Sequence, residues 1–285
     1  MHIAFVGFGE VASAFCGALV SRGARLSAYD ILLDQPGGLE RLKTRAGTTL
    51  VEFKALAEAL SGADYVFSTV TTSVAARAAQ LCAAHLRGGQ RYLDLNATDA
   101  GVKLEISRIV AGAGAAFVEG ALLGAVGVTA ARTEILLGGA HARRAEDELK
   151  GQLGLNARFY SEEIGKASTF KMLRSVFSKG MEALLIEFLV AGERAGIRDD
   201  LWAEVSGLFA NQSFDKVALN WVRTHGGAHG RRYHEVRQVA EVLRGLGIEP
   251  TITSATERFF ERSGQLGLTA AEKADDVIRT FNERL

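Results

Sequence analysis

The chain has 285 residues, of which 48% are hydrophobic, enough for one large or two ordinary globular domains with a buried core. Lys plus Arg and Asp plus Glu are 33 each, so no net field draws the chain to nucleic acid or to an anionic membrane surface. Cys16 and Cys82 fall in segments with helical spacing and have no metal-ligand neighbours, which points to core packing in a reducing cytoplasm rather than to a disulfide framework or a metal site.

His2–Val6 is a short apolar run that suits a strand buried on both faces. The chain opens directly on it, so no signal peptide is expected. Gly7-Phe8-Gly9-Glu10-Val11-Ala12 follows, and Glu10 to Val20 has helical spacing through Val11, Phe15 and Leu19. A Gly-x-Gly-x-x-Ala run between a strand and a helix is a dinucleotide turn. The first glycine permits the tight bend. The second lets a pyrophosphate lie against the backbone at the helix N-terminus, and the alanine allows close helix–strand packing. A second strand, Arg25 to Tyr29, ends in Asp30, where the ribose-binding acid of this arrangement belongs. Asp30 favours NAD by accepting from the 2′-hydroxyl and repelling a 2′-phosphate; an arginine folding in from elsewhere, Arg25 or Arg45, leaves NADP open.

Helices are predicted over 39–45, 53–60, 73–85, 102–110 and 142–150, and strands over 48–51, 64–70, 90–95, 115–118 and 133–137. This alternation predicts an α/β fold, a doubly wound parallel sheet over residues 1–163. The apolar stretch 111–131 is Gly- and Ala-rich and interrupted by Glu119, so it does not read as a membrane span. From residue 164 to 285 the pattern is all-helical. Phe170, Leu173, Phe177, Met181, Leu184 and Phe188 at steps of three and four predict one long helix over 166–195, ended by Gly196. Further helices are predicted over 199–209, 214–224, 232–243, 254–263 and 270–284. Glycines 226, 227 and 230 and Pro250 act as breaks, and Ser254…Glu257 and Thr269…Glu272 as capping boxes. So much amphipathic surface in the smaller domain predicts a homodimer.

Four stretches together resemble the β-hydroxyacid dehydrogenase family, which includes 3-hydroxyisobutyrate and 6-phosphogluconate dehydrogenases. Val6–Ala12 is similar to its cofactor turn, and Val70-Thr71-Thr72-Ser73 to its loop along the nicotinamide end. Asp94-Leu95-Asn96-Ala97 is similar to its Asp-x-Ser-Thr segment, and Gly165-Lys166-Ala167-Ser168-Thr169-Phe170-Lys171 to its catalytic stretch. The last hundred residues look closer to a branch whose helical C-terminal domain has no assigned function. The resemblance implies a Rossmann-type domain followed by an all-α substrate and dimerisation domain. It further implies cofactor contacts from Gly7, Phe8, Gly9, Glu10, Val11, Asp30, Val70, Thr71 and Asn96, and a catalytic group of Lys171, Asn96 and Ser175.

The chain also departs from the family. Leu123, next to Gly124, stands where a serine bonds substrate, and Ser175 replaces an asparagine four residues past the lysine. A more apolar substrate pocket lined by Leu123, Gly124 and Ser175 follows. The implied activity is hydride transfer between a nicotinamide cofactor and a 3-hydroxyacid or related carbonyl. The alternatives are an imine reductase of the same family and a non-catalytic dinucleotide sensor. His225, Arg231, Arg232 and His234 form a basic cluster that reads either as a carboxylate site or as a solvated helix start.

Overall fold

The computed structural model describes residues 1–284. Contacts divide the chain into two compact units, Met1–Ser175 and Val176–Leu285. In the first unit the strands are β1 (His2–Val6), β2 (Arg25–Tyr29), β3 (Glu52–Phe53), β4 (Tyr65–Ser68), β5 (Arg91–Asp94), β6 (Ala116–Leu123), β7 (Glu134–Gly138) and β8 (Ala157–Ser161). Between them run α1 (Glu10–Ser21), α2 (Gly38–Ala46), α3 (Leu56–Leu60), α4 (Ala75–Ala83), α5 (Ala100–Gly112), α6 (Val126–Thr129) and α7 (Ala142–Glu146), the last extended by a wider turn over 147–152. The sheet order is β3-β2-β1-β4-β5-β6-β7-β8. Strands β1 to β6 are parallel, β7 is antiparallel to β6, and β8 runs parallel to β7. The chain reverses its direction of winding between β1 and β4, the switch point at which this architecture binds ligands beyond the strand ends.

The apolar runs bury both faces of the sheet, as parallel strands covered by helices require. Ile3 and Phe5 join Phe67, Leu93 and Val118 on one face, while Ala4 and Val6 join Val66, Tyr92 and Phe117 on the other. On the first face Phe5 meets Phe8 and Phe67 edge-to-face at 5.9 and 5.5 Å.

The predicted strand over 48–51 lies instead at 52–53. Phe53 packs edge-to-face on Phe8 at 5.0 Å while Leu50 is exposed, so packing on the aromatic cluster sets the register. Strand β8 is an addition to the expected set; it sits at the sheet edge with only alternate side chains inward.

Helix α8 (Lys166–Ala195) follows the prediction and contributes its start, Lys166–Ser175, to the first unit. The second unit continues with α9 (Arg198–Asn211), α10 (Phe214–Gly245), α11 (Thr251–Gly264) and α12 (Ala274–Arg284). Here the expected breaks are corrected. One helix, α10, runs through glycines 226, 227 and 230, because two of them serve close approach rather than termination. A Cβ at Gly226 would overlap the carbonyl of Thr269, and one at Gly227 would touch Ala270 at 3.3 Å. That contact holds residues 269–270 outside a helix, so α12 starts at Ala274 rather than at the expected capping box. Helix α11 begins at Thr251, ahead of Ser254, because Glu187 caps it from α8. The carboxylate accepts the Ile252 and Thr253 N–H groups at 2.8 and 2.9 Å.

Candidate active site

The turn after β1 is built as its glycines require. Gly7 has φ +83°, and a Cβ there would lie 2.8 Å from the Thr69 carbonyl, so only glycine fits. Its N–H donates to the Tyr29 carbonyl at 2.8 Å, and Thr69 Oγ1 donates to the Gly7 carbonyl at 2.6 Å. Gly9 precedes the first turn of α1 with nothing within 4 Å of where a Cβ would project. Open space therefore faces a helix N-terminus, the condition for seating an anion.

A cleft of about 450 Å³ opens here, lined by Gly7, Gly9, Tyr29, Asp30, Arg45, Val70, Thr71 and Arg77 among others. Its lining joins the glycine turn, the acid after β2 and the loop after β4, three segments distant in sequence. These residues fit a dinucleotide: the glycine cradle and free helix end suit a pyrophosphate, and Asp30 lies where a ribose would rest. Asp30 also braces the turn, its carboxylate accepting the Phe8 N–H at 2.7 Å and the Leu32 N–H at 2.9 Å. Arg45 reaches the same cleft from α2 and donates to the Phe8 carbonyl at 3.2 Å, whereas Arg25 turns to the His2 ring. Of the remaining turn residues, the Phe8 side chain is fully buried core, Val11 packs against that core, and Glu10 is exposed beside Gly127.

Beyond the β5 end lies a second, buried polar group. Asp94 and Lys103 are both fully buried, with Lys103 Nζ 3.2 Å from Asp94 Oδ2, an ionic contact without hydrogen-bond alignment. Lys103 also donates to the Asp94 and Asn96 carbonyls at 2.9 and 2.8 Å. The Asn96 backbone N–H donates to Asp94 Oδ1 at 3.0 Å. Sequence reasoning missed Lys103, although helical spacing sets it on the buried face of α5 with Ile106 and Val110.

Lys171 lies in the second turn of α8. Its amine has a pKa below the ordinary lysine value, chiefly because burial disfavours the ammonium and secondarily because the Lys103 charge repels it. The start of its helix is held by Glu119, a fully buried residue on β6. One carboxylate oxygen accepts the Gly165 N–H and the other the Ser168 N–H, both at 2.7 Å. Glu119 was legible in the sequence only as a charge interrupting an apolar run. Leu123 packs with Ala121, Leu136 and Ala167, the last of these in the first turn of α8, while Gly124 has open space around it. The Ser175 hydroxyl is exposed and donates back to the Lys171 carbonyl at 3.1 Å, so it does not hold the Lys171 ammonium.

In the second unit, the basic cluster assembles only in part. His225 is buried, its Nε2 2.9 Å from Ser263 Oγ, with Phe259, Phe260 and Phe281 around the ring. Arg231 pairs with Glu235, and Arg232 donates to Thr224 Oγ1 at 2.7 Å. Arg231 and His234 fall on other faces of α10 from His225, whereas Arg232, seven residues on, shares its face and its charge acts on the ring, so only two of the four basic side chains come together. Lys179 is exposed and paired with Glu182 at 3.1 Å. No helix of the described residues is long and apolar enough to cross a membrane, and no group of three or more His, Cys, Asp or Glu among them could hold a metal ion.

Residues 2–98 match the family model for NADP oxidoreductase, coenzyme F420-dependent, and residues 193–263 match a domain of unknown function, DUF1932. The chain is similar to the crystal structure of a conserved hypothetical protein from Sinorhizobium meliloti, with 30% identity over 100% of this chain and 97% of that one and a TM-score of 0.63. It is also similar to a conserved protein of unknown function described as structurally similar to 3-hydroxyacid dehydrogenases. There the identity is 29% over 93% of this chain and 97% of that one, with a TM-score of 0.62. An imine reductase from Myxococcus stipitatus in complex with NADP+ shares the fold at 13% identity, over 99% of this chain and 100% of that one, with a TM-score of 0.78. A variant of that reductase is in complex with NAD+.

Proposed function

Because the chain belongs to the 3-hydroxyacid dehydrogenase-like family of NAD(P)-dependent oxidoreductases, we propose that it oxidises a 3-hydroxyacid or reduces a related carbonyl, with Lys171 as the general acid–base. A nicotinamide dinucleotide would supply the hydride acceptor or donor. Gly7, Gly9 and the N-terminus of α1 would hold its pyrophosphate and Asp30 its adenosine ribose, with Val70 and Thr71 lining the cleft beside it. Lys171 takes the hydroxyl proton as hydride leaves the carbon and returns it to the developing alkoxide in reverse. The observation that carries this role is a half-buried amine in the second turn of a helix whose start Glu119 fixes, and burial there lowers its pKa, which makes the neutral base available nearer neutral pH than an ordinary lysine would. The family is one of enzymes, and a general acid–base has no purpose in a dinucleotide sensor.

An imine is the second substrate class. The apolar contacts of Leu123, where the family pattern has a hydroxyl, favour a substrate with less to bond at that point. Choice of cofactor turns on two side chains of opposite charge in one cleft: Asp30 favours NAD, and Arg45 supplies the cation that a 2′-phosphate needs. Both oxygens of Asp30 already accept backbone N–H groups, so its repulsion of a phosphate is partly spent. NAD use with NADP tolerated is the resulting reading. A homodimer through the helical unit is supported by the exposed Val176, Phe177, Leu184, Ile186 and Trp202. A cytoplasmic setting suits two free, buried cysteines.

The test is a screen of 3-hydroxyacids, semialdehydes and cyclic imines, each with both cofactors, followed by absorbance at the reduced-nicotinamide band. Turnover of a hydroxyacid or semialdehyde supports the first reading. Turnover of imines alone selects the second. No turnover with any of them refutes both.

A further inference from the structure

The buried group at the end of β5 has a polarity, and that polarity is fixed by residues that never need to touch a ligand. The Asn96 side-chain amide spends both of its N–H bonds inside the protein, one on Asp94 Oδ1 and one on Ser68 Oγ at 2.8 Å. Its oxygen, Oδ1, is buried and has no partner among the described residues, and the same holds for Thr98 Oγ1 two residues on. An amide can be turned over without changing shape, so its neighbours decide which atom faces which way. Turning this one would set Oδ1 against Asp94 Oδ1, two acceptors in contact. Asp94 in turn is a buried carboxylate whose charge is balanced by Lys103. The order of control therefore runs from Lys103 to Asp94 to Asn96.

Asn96 does not itself line the cleft of the glycine turn, but its loop is joined to that cleft. Thr72 Oγ1 donates to the Ala97 carbonyl at 3.4 Å, tying the Asn96 loop to the loop that lines the cofactor cleft. Lys103 lies near enough to Lys171 for its charge to act on that amine. A buried acceptor left unpaired is costly, and an arriving donor removes the cost.

We propose that Lys103 and Asp94 are positioning residues that lock Asn96 as a hydrogen-bond acceptor, so that the site selects a ligand group carrying N–H or O–H. This rests on the oxidoreductase reading and sharpens it. Two ligands bring such a group: the nicotinamide, through its carboxamide NH2, and the substrate, through the hydroxyl or amine on its reacting carbon. A bare ketone offers Asn96 only a second acceptor and has to be held by the Lys171 ammonium alone.

The experiment measures binding to the whole protein by calorimetry in two arms. One compares NAD+ with its 3-acetylpyridine analogue, in which a methyl group replaces the carboxamide NH2. The other compares 3-hydroxybutyrate with acetoacetate on the NAD+-loaded protein. Each is run on the wild type, on Asn96→Ala, and on the double variant Asp94→Asn with Lys103→Met. The double variant removes both members of the ion pair together, so neither is left without the other, and its thermal transition verifies that it is folded. We expect the wild type to prefer the donor-bearing member by roughly tenfold in at least one arm. Preference in the first arm assigns the donor to the cofactor, and in the second to the substrate. Both variants should reduce it to below about threefold. Absence of preference in both arms overturns the proposal, as does a preference that survives in the double variant. Failure of the wild type to bind either NAD+ or NADP+ would instead overturn the oxidoreductase reading beneath it.

Discussion

Glu119→Gln isolates the bond that anchors the helix carrying Lys171. Glu119 is fully buried, and its two oxygens each accept one backbone N–H, from Gly165 and from Ser168, at 2.7 Å. Both donors lie at the start of α8, where N–H groups have no partner within the helix. Glutamine has the same shape but only one acceptor. One charge-assisted bond becomes a neutral one, a loss of about 1 kcal/mol, and the second N–H faces an NH2 group, leaving a buried donor unmet at about 1–3 kcal/mol. Release of a buried charge offsets part of this, so the net cost is about 2–3 kcal/mol. For a chain of this size that is a fall in Tm of roughly 5–10 °C, read by scanning calorimetry. Hydrogen exchange at the start of α8 should accelerate as well, since one of these two amides loses its acceptor and the other keeps only a neutral one. Affinity for cofactor should hold, because the glycine turn follows β1 and does not involve Glu119. A variant melting within about 1 °C of the wild type, with unchanged exchange at these amides, would refute the anchoring role.

Lys171→Met should lower kcat by roughly two orders of magnitude while cofactor fluorescence still reports binding, whereas Lys179→Met, which removes only an exposed ion pair, should stay within about twofold; comparable losses in both would refute the assignment. With its pKa lowered by burial and by Lys103, Lys171 should make oxidation rise with pH through an apparent pKa below the ordinary lysine value of about 10.4, and reduction fall over the same range. A limb at the ordinary value would contradict this. Arg45→Ala should reduce kcat/KM with NADP+ by roughly tenfold and leave NAD+ within about twofold, and an equal effect on the two cofactors would remove Arg45 from 2′-phosphate contact. Burial lowers the His225 pKa, so the folded state binds this proton less readily than the unfolded chain, and stability should decline as pH drops below about 6.5. Denaturant titrations of His225→Gln should show a shallower decline, and an unchanged slope would refute the coupling.

The parts of the fold visible in the sequence are those in which local pattern and tertiary demand coincide. The β1 turn was legible because Gly7 and Gly9 lie between a periodic helix and an apolar strand, and both glycines meet the conditions that the pattern implies. The length of α8 followed from one sustained apolar spacing. Elements set by a distant partner were not legible. Gly226 and Gly227 read as helix breakers in isolation, and only the close approach of Thr269 and Ala270 explains them inside α10. The start of α11 depends on Glu187, more than sixty residues away, which outweighed a local capping box at Ser254. Within the site, the cleft-lining Gly7, Gly9, Asp30, Val70 and Thr71 were readable. Lys103 and Glu119 were not, because a charge in an apolar segment looks the same in sequence whether it meets water or a buried counterpart.

The strand register explains why those hidden charges matter to the site. Val6, Ser68, Asp94 and Glu119 are successive partners across β1, β4, β5 and β6, so they form one row on one face near the ends of the strands. Tyr29 continues the row onto β2, and Asp30 follows it. Three carboxylates thus stand at nearly one level of the sheet, and each accepts backbone N–H groups from a segment of the proposed site. Asp30 holds the glycine turn, Asp94 the Asn96 loop, and Glu119 the start of the Lys171 helix. Such loops have no ladder partners of their own, and side-chain acceptors rooted in a rigid sheet give them fixed positions. The arrangement has a cost, because Asp94 and Glu119 are neighbours on adjacent strands and like charges there repel. Lys103, reaching in from α5 to Asp94, supplies the opposite charge that makes the pair tolerable. A lysine at that position is thus as much a requirement of the anchoring scheme as of the Asn96 orientation.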